Sequence, residues 1–427
     1  MKKYYLQYLL PILVFFFVPF KMTADESYIR GDSNGDGVVN IKDVTCLIDY
    51  VMSGSWPDEG TVDNKKIKVL FFGNSYTANS VFYLPFILGN NGVDFKVSFF
   101  FAAGEGVDYF YNSWDSVAPT LYTFDSETDS VWHSEHIKPK VAVESDDWDL
   151  LVLQQFSQVS FVQDSYSNVG NLVNLIKAST EGKDSKIGWN ITHPNGQIAY
   201  NYPLQSFACM ESACQQNGID VLLPYGTAIC NALTKYVCRA YANPSINANR
   251  NFKLSDNTHL SPGLPMYIAS LAIAQALSDE FSLGFSVQDD TTTPTVAWST
   301  QGSVNYKGIS PVYTNINFLA VTDEFRDIAK RAVAAAMENK FTVTQLDGET
   351  MKVTYNLTGC HIEGSAPTTG INFGETLSFR IVADEGKTMS SVTSRKIWGS
   401  DIPYELGENG EFEKVVTEDL VITATAL

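Results

Sequence analysis

Five short apolar runs alternate with helix-type patterns between residues 66 and 340. Runs of this length that are rich in β-branched and aromatic residues, with turn-forming residues nearby, are typical of buried strands. Strands that alternate with helices predict an α/β fold, a doubly wound parallel sheet covered by helices on both faces. The five predicted strands are IKVLFF (67–72), FKVSFFF (95–101), LLVLQ (150–154), KIGWNIT (186–192) and DVLLP (220–224).

Helical periodicity occupies several connections between these strands. SNVGNLVNLIKAST predicts a helix over 167–180, and DEFRDIAKRAVAAAMENK predicts an amphipathic helix over 323–340 that closes the domain. The stretches 105–147 and 282–320 are long for loops, so we expect them to carry insertions near a functional site.

Residues 350–427 show β-type alternation, many Thr, Val and Ser residues and no strong helical periodicity. Runs bounded by Gly and Asp predict a small all-β domain here. These runs are YNLTGCHIEG, ETLSFRIVAD, SVTSRKIWGS and DLVITATAL. Adhesion, glycan binding and a passive spacer role remain open for this domain, because fold does not determine function.

Residues 1–24 have the three parts of an export signal peptide. A basic MKK start precedes the apolar run LLPILVFFFVPF (9–20), and Ala24 is the expected last residue removed. The apolar run has 12 residues, whereas a transmembrane helix needs roughly 20. We therefore expect an exported protein that is extracellular, at the cell surface or periplasmic, with no membrane span after signal removal.

Composition and charge narrow the classes of function. Of the 427 residues, 44% are hydrophobic and 18% are charged, which is typical of a globular protein. The formal net charge of −19 disfavours nucleic acid and anionic membranes as partners. Six cysteines are present, and for these the sequence leaves disulfides and buried thiols equally open.

An Asp-, Asn- and Gly-rich segment at residues 30–55 predicts a calcium site. Its loop DSNGDGVVNIKD has the spacing of a twelve-residue EF-hand-like loop, with Gly37 at the sharp turn. The expected ligands are the side chains of Asp32, Asn34, Asp36 and Asp43 and the carbonyl of Val38. The segment resembles one half of a dockerin, which implies a structural Ca²⁺ and a cohesin-like partner; dockerins carry two such repeats, and one is found here.

The segment IKVLFFGNSYT places Ser75 after the first predicted strand, at the carboxyl edge where α/β folds bind ligands. A nucleophilic serine needs a neighbouring base. Among the five histidines, His259 lies in DNTH with Asp256 three residues before it. This separation lets the Asp256 carboxylate accept from one imidazole nitrogen and leaves the other to take the serine proton.

The motifs GNSYT and DNTH together resemble the SGNH (GDSL-like) hydrolase superfamily, in particular a poorly characterised branch of exported bacterial proteins. The resemblance covers residues 66–340 and implies a flavodoxin-like five-stranded sheet and a triad of Ser75, Asp256 and His259. The segment AAGEGVDYF is similar to the second block of the family. It implies that the backbone N–H groups of Ser75 and Gly104 form an oxyanion hole.

Two blocks depart from the family pattern. DLLVLQQFSQ lacks the usual Asn of the third block, so Gln154 is the expected amide donor to the oxyanion, with Gln158 as its rival. We also expect Gln158 or His193, which follows the fourth strand, to contact ligands in the cleft. Asn74 replaces the usual Asp of the first block, and since that Asp is not a triad member, the catalytic interpretation is retained.

These features predict an exported serine esterase that removes O-acyl groups, above all acetyl groups, from carbohydrate and needs no cofactor for catalysis. The carbohydrate assignment rests on the family resemblance and on the dockerin-like and β segments. The alternatives are a lipid esterase, a thioesterase, and a non-catalytic glycan-binding surface protein on the same scaffold.

Overall fold

The computed structural model describes residues 66–129, 132–194, 202–242, 259–292, 320–396, 402–417 and 419–427. The predicted signal peptide, the predicted calcium loop and Asp256 lie outside these ranges, as does most of the predicted insertion at 282–320. The chain divides into two compact units, 1–65 and 66–427. In the described part of the chain, no helix is long and apolar enough to cross a membrane.

A seven-stranded sheet forms the centre of the second unit. Its strands are β1 Ile67–Gly73, β2 Phe95–Phe101, β3 Thr120–Asp125, β4 His133–His136, β5 Leu150–Leu153, β6 Lys186–Asn190 and β7 Val221–Leu223. They lie in the order β4-β3-β2-β1-β5-β6-β7. Strands β2, β1, β5, β6 and β7 are parallel, whereas β3 and β4 are antiparallel to their neighbours.

All five predicted strands form, and they make up the parallel part of the sheet. The prediction of a five-stranded sheet was wrong in extent, because β3 and β4 extend it within the stretch 105–147. Strand β4 has the sequence HSEH, with every residue exposed. It therefore has no apolar alternation, and its strand conformation comes from antiparallel pairing with β3.

Helices cover both faces of the sheet. They are α1 Ser75–Ser80, α2 Leu84–Asn90, α3 Val107–Ser113, α4 Pro139–Glu144, α5 Val169–Ser179, α6 Tyr202–Asn217, α7 Tyr225–Leu233, α8 Tyr236–Ala242, α9 Leu264–Phe281 and α10 Asp323–Glu338. The predicted helices over 167–180 and 323–340 correspond to α5 and α10.

Two hydrophobic cores result from the alternation of side chains along the strands. In β1, Val69 and Phe71 join the core under α1, α2, α7, α9 and α10. Leu70 and Phe72 join the core under α3, α4, α5 and α6. Helix α9 is buried along most of its length, since it packs against α1, α2, α7 and α10. The full burial of the parallel strands explains why they read as continuous apolar runs.

The described cysteines lie in these cores and in the C-terminal one. Cys209, Cys214, Cys238 and Cys360 are buried free thiols. Cys230 is buried in the core under α3, α4, α5 and α6. For the first four, the structure therefore favours the buried-thiol alternative over disulfides.

The C-terminal residues form two β-sheets around a third core, as predicted in outline. Strands β8 Val353–Thr358, β11 Met389–Lys396, β12 Ile402–Pro403 and β14 Leu420–Ala426 form one sheet, and β9 Cys360–Glu363, β10 Thr376–Ala383 and β13 Glu411–Val415 form the other. The predicted run YNLTGCHIEG is divided between the two sheets at Gly359. This residue has φ +64°, and a Cβ there would lie 2.5 Å from the carbonyl oxygen of Ala426. A glycine is therefore required at the corner.

Candidate active site

A tight turn between β1 and α1 presents Ser75 at the carboxyl edge of the sheet. Strand β1 ends at Gly73, where a Cβ would overlap the side chain of Thr77 at 1.9 Å. Asn74 is the N-cap of α1, and its Oδ1 accepts from the backbone N–H of Tyr76 at 2.9 Å. The helix can therefore start immediately after the strand, with Ser75 as its first residue.

The hydroxyl of Ser75 contacts the imidazole of His259. The distance between Ser75 Oγ and His259 Nε2 is 2.8 Å. Both residues are half-buried, so the contact lies where a small molecule can approach it. His259 lies five residues before α9, and Asp256 lies outside the described residues. The structure thus brings together two of the three residues of the predicted triad.

Asn74 also links the nucleophile turn to the loop that follows β2. Its Nδ2 donates to the carbonyl oxygen of Glu105 at 2.6 Å, and the backbone N–H of Ala102 donates to the carbonyl of Gly73 at 3.0 Å. Gly104 lies between these two anchors, is exposed, and has φ +70°. An amide at position 74 is needed for this link, because an aspartate has no proton to donate to a carbonyl.

The two glutamines predicted as amide donors, Gln154 and Gln158, have different surroundings after β5. Gln154 is 1% exposed, and its Oε1 accepts from the hydroxyl of Thr77 at 2.5 Å. Its Nε2 has no hydrogen-bond partner among the described residues. Gln158 is exposed in the turn beyond. Strand β5 lies next to β1, and the direction of the crossovers reverses between these two strands. The residues that follow β1 and β5 therefore border the point where such sheets usually bind ligands.

The structure places His193 against Tyr76, the residue that follows the nucleophile. It is fully buried, and its ring stacks on Tyr76 at a centroid distance of 4.1 Å and an angle of 8°. Tyr76 in turn meets His259 edge to face, at 5.8 Å and 74°. Tyr225 also contacts the His193 ring, at a centroid distance of 5.7 Å, and burial raises the pKa of Tyr225. Pairwise ring contacts thus connect Tyr225, His193, Tyr76 and His259 in that order.

Sequence reasoning missed three buried residues of this site: Tyr76, Thr77 and Asn79. Asn79 is 1% exposed on the last turn of α1 and accepts from the backbone N–H of Leu260. A polar residue four positions after a candidate nucleophile, on a short and otherwise buried helix, is a signal that could have identified it.

Comparison with solved structures supports the fold. A crystal structure of a DUF4886 family protein from Bacteroides uniformis is similar to this chain with a TM-score of 0.50 and 20% identity. The alignment covers 66% of this chain and 98% of that one. At this identity the likeness shows a shared fold and nothing about activity.

Two further structures align over nearly their whole length, with lower TM-scores. A GDSL-like lipase from Bacteroides thetaiotaomicron has 14% identity, covers 54% of this chain and 96% of its own, and has a TM-score of 0.29. An acylhydrolase from Bacteroides fragilis has 13% identity, 69% and 97% coverage and a TM-score of 0.25. No family profile and no curated protein matches the sequence.

Proposed function

We propose that this chain is a serine ester hydrolase with Ser75 as nucleophile and His259 as general base. The observation that carries the proposal is the 2.8 Å contact between Ser75 Oγ and His259 Nε2. This is the distance at which a base can take the hydroxyl proton as the oxygen attacks. The pair also lies at the carboxyl edge of a parallel sheet, where such folds bind substrates.

The reaction follows from this geometry as two acyl transfers. Ser75 Oγ bonds to the ester carbonyl carbon while its proton passes to Nε2 of His259, and a tetrahedral oxyanion forms. Collapse breaks the bond to the alkoxy oxygen, and the leaving alcohol takes the proton from Nε2. Water then attacks the acyl-enzyme with the same proton transfers and releases the carboxylic acid. We assign Asp256 to orient the imidazole and to stabilise its protonated form.

We assign the oxyanion hole to backbone N–H groups of Ser75 and Gly104 with one glutamine amide. Support for Gly104 comes from its loop, which Asn74 ties to the nucleophile turn. Support for Gln154 comes from its buried Nε2, which lacks a partner among the described residues while its Oε1 is held by Thr77. Gln158 is the rival because it is exposed and can reach a ligand.

The substrate class we propose is O-acylated carbohydrate, with acetyl as the acyl group. It rests on the sequence resemblance and on the appended segments described above, since no contact in the cleft selects a sugar. Lipid ester and thioester hydrolysis are the alternative reactions. In the same way we propose that the protein is exported, that residues 32–43 bind a structural Ca²⁺, and that a cohesin-like domain is a partner.

The central experiment compares Ser75→Ala and His259→Ala with the parent enzyme on p-nitrophenyl acetate. Both variants should lose turnover to a similar extent, because members of a catalytic group act as a unit. Ser391→Ala, at an exposed position of the C-terminal sheets, is the matched control and should retain full activity. A fluorophosphonate probe should label Ser75 in the parent and in Ser391→Ala, and should leave Ser75→Ala unlabelled. Turnover in folded Ser75→Ala protein would refute the proposal.

Asp256→Asn tests the third member of the triad. We expect a large loss of kcat, because an amide favours the wrong imidazole tautomer and does not stabilise the imidazolium. The corresponding change in trypsin, which is the standard example, lowers kcat about 10⁴-fold. A variant with normal kcat would show that another group orients His259.

Single glutamine variants distinguish the two amide donors. Loss of one oxyanion donor costs about 3 kcal/mol of transition-state stabilisation. The true donor should therefore show a large fall in kcat with little change in KM when replaced by Ala. We expect this for Gln154→Ala; the same effect in Gln158→Ala alone would assign the role to Gln158.

Substrate class and metal binding need separate measurements. Release of acetate from acetylated polysaccharides, compared with hydrolysis of p-nitrophenyl acyl esters and acyl thioesters, distinguishes the carbohydrate proposal from its alternatives. Calorimetric titration should show Ca²⁺ binding that Asp36→Ala weakens strongly, because a charged ligand is removed. Unchanged Ca²⁺ binding in that variant would contradict the loop assignment.

A further inference from the structure

One short helix carries both the nucleophile and an acceptor for the chain that bears the base. Asn79 lies four residues after Ser75, so the two positions are separated by about 6 Å along the axis of α1. The Oδ1 of Asn79 accepts from the backbone N–H of Leu260 at 3.0 Å. Leu260 is the residue directly after His259, so this bond fixes the backbone from which the imidazole extends.

The bond is deeply buried. Asn79 is 1% exposed and Leu260 is fully buried. A buried backbone N–H needs an acceptor within the protein, because no water can bond to it and an unpaired donor lowers the stability of the fold. The bond from the Leu260 N–H therefore strongly constrains the position of its segment relative to α1.

A second bond holds the same segment farther from the imidazole. The hydroxyl of Tyr83 accepts from the backbone N–H of Gly263 at 3.1 Å. The segment is thus fastened at residues 260 and 263 to two side chains that follow Ser75 in sequence. The first anchor is adjacent to His259 and the second is four residues away, which gives a matched pair for comparison.

We propose that Asn79 is a positioning residue that sets the imidazole of His259 on the hydroxyl of Ser75; this rests on the proposed function of that pair. The nucleophile and the anchor of the base belong to the same short helix, so their relative positions do not depend on how the longer connections of the fold are arranged. Misplacement of a reacting group by 1 Å can cost about 100-fold in rate. Loss of the acceptor at Asn79 should therefore lower kcat and leave substrate binding nearly unchanged.

The test compares Asn79→Leu, Asn79→Asp and Tyr83→Phe. Leu has the shape of Asn without its acceptor, Asp keeps an acceptor oxygen, and Tyr83→Phe removes the remote anchor. We expect Asn79→Leu to lower kcat by about 10- to 100-fold, from the misplacement argument, with KM changed by less than about 2-fold because the contact is not with substrate. Asn79→Asp should recover most of kcat, and Tyr83→Phe should stay within about 3-fold of the parent.

NMR of the histidine side chains supplies a second readout that does not depend on turnover. The imidazole resonances assigned through His259→Ala should shift in Asn79→Leu and stay near their parent positions in Tyr83→Phe. Wild-type kcat with an unshifted His259 signal in Asn79→Leu would overturn the inference, as would an Asn79→Asp variant as defective as Asn79→Leu. If the parent neither hydrolyses esters nor reacts with the fluorophosphonate, the proposed function fails, and the NMR comparison still decides whether Asn79 sets His259.

Discussion

Replacing Arg239 should destabilise the whole of residues 66–427, because this side chain connects α8 to the C-terminal sheets. Arg239 is 4% exposed and Asp419, just before β14, is 3% exposed. Arg239 Nε and Asp419 Oδ1 are 3.3 Å apart, a close ion pair without hydrogen-bond geometry. The guanidinium also donates to the carbonyls of Thr234 and Thr350, and Asp419 accepts from the backbone N–H of Lys352 at 3.0 Å.

The size of the effect follows from burial. Arg239→Met keeps the length of the side chain and removes its charge, which leaves the Asp419 carboxylate in the interior with one backbone donor. Breaking a buried ion pair in this way costs about 3–5 kcal/mol. Since the total free energy of unfolding of a protein domain is about 5–15 kcal/mol, the loss should be plain in a urea unfolding curve followed by tryptophan fluorescence.

A double variant separates the charge from the packing. Arg239→Met combined with Asp419→Leu removes both charges, and replacement of a buried pair by apolar groups is often close to neutral. We therefore expect the double variant to regain most of the stability that Arg239→Met loses. Both proteins should label at Ser75 like the parent below their unfolding transitions. If Arg239→Met lowers the free energy of unfolding by less than about 1 kcal/mol, the ion pair is solvated. The passive spacer role would then again be open for the C-terminal domain.

Two other predictions concern the turn that carries Ser75 and a carboxylate near the amino ends of β1 and β2. Asn74→Asp keeps the N-cap acceptor but loses the donor to the carbonyl of Glu105. We therefore expect kcat to fall and the free energy of unfolding to decrease by about 1–3 kcal/mol. A variant with parental kcat would contradict the link between the two loops. Burial raises the pKa of Asp146, but hydrogen bonds from Lys68 and Lys96 outweigh it and lower the pKa to about 2. The stability from this carboxylate is therefore complete above the unfolded pKa of about 4 and is lost as the pH falls towards 2. In Asp146→Asn the urea midpoint should vary less with pH over this range, and an unchanged pH dependence would refute the assignment.

The parallel core of the sheet could be predicted from the sequence, because its strands are buried on both faces and therefore appear as continuous apolar runs. The two antiparallel strands, β3 and β4, could not. In β4 all four residues of HSEH are exposed, so the conformation depends on hydrogen bonds from a neighbouring strand and leaves no pattern in the side chains. The division of the C-terminal runs between two sheets was likewise decided by a corner at Gly359, where a neighbouring carbonyl leaves no room for a Cβ.

The candidate site divides in the same way. The sequence by itself determined where Ser75 stands, because a strand followed by a Gly-containing turn and a helix start is a local pattern. The motif around His259 made it the best base on chemical grounds. Tertiary structure alone brought the two side chains within 2.8 Å across 184 positions of sequence. It also paired Asn79 with the backbone N–H of Leu260, because the acceptor of a distant backbone N–H is chosen by packing, and packing leaves no local signal in the chain.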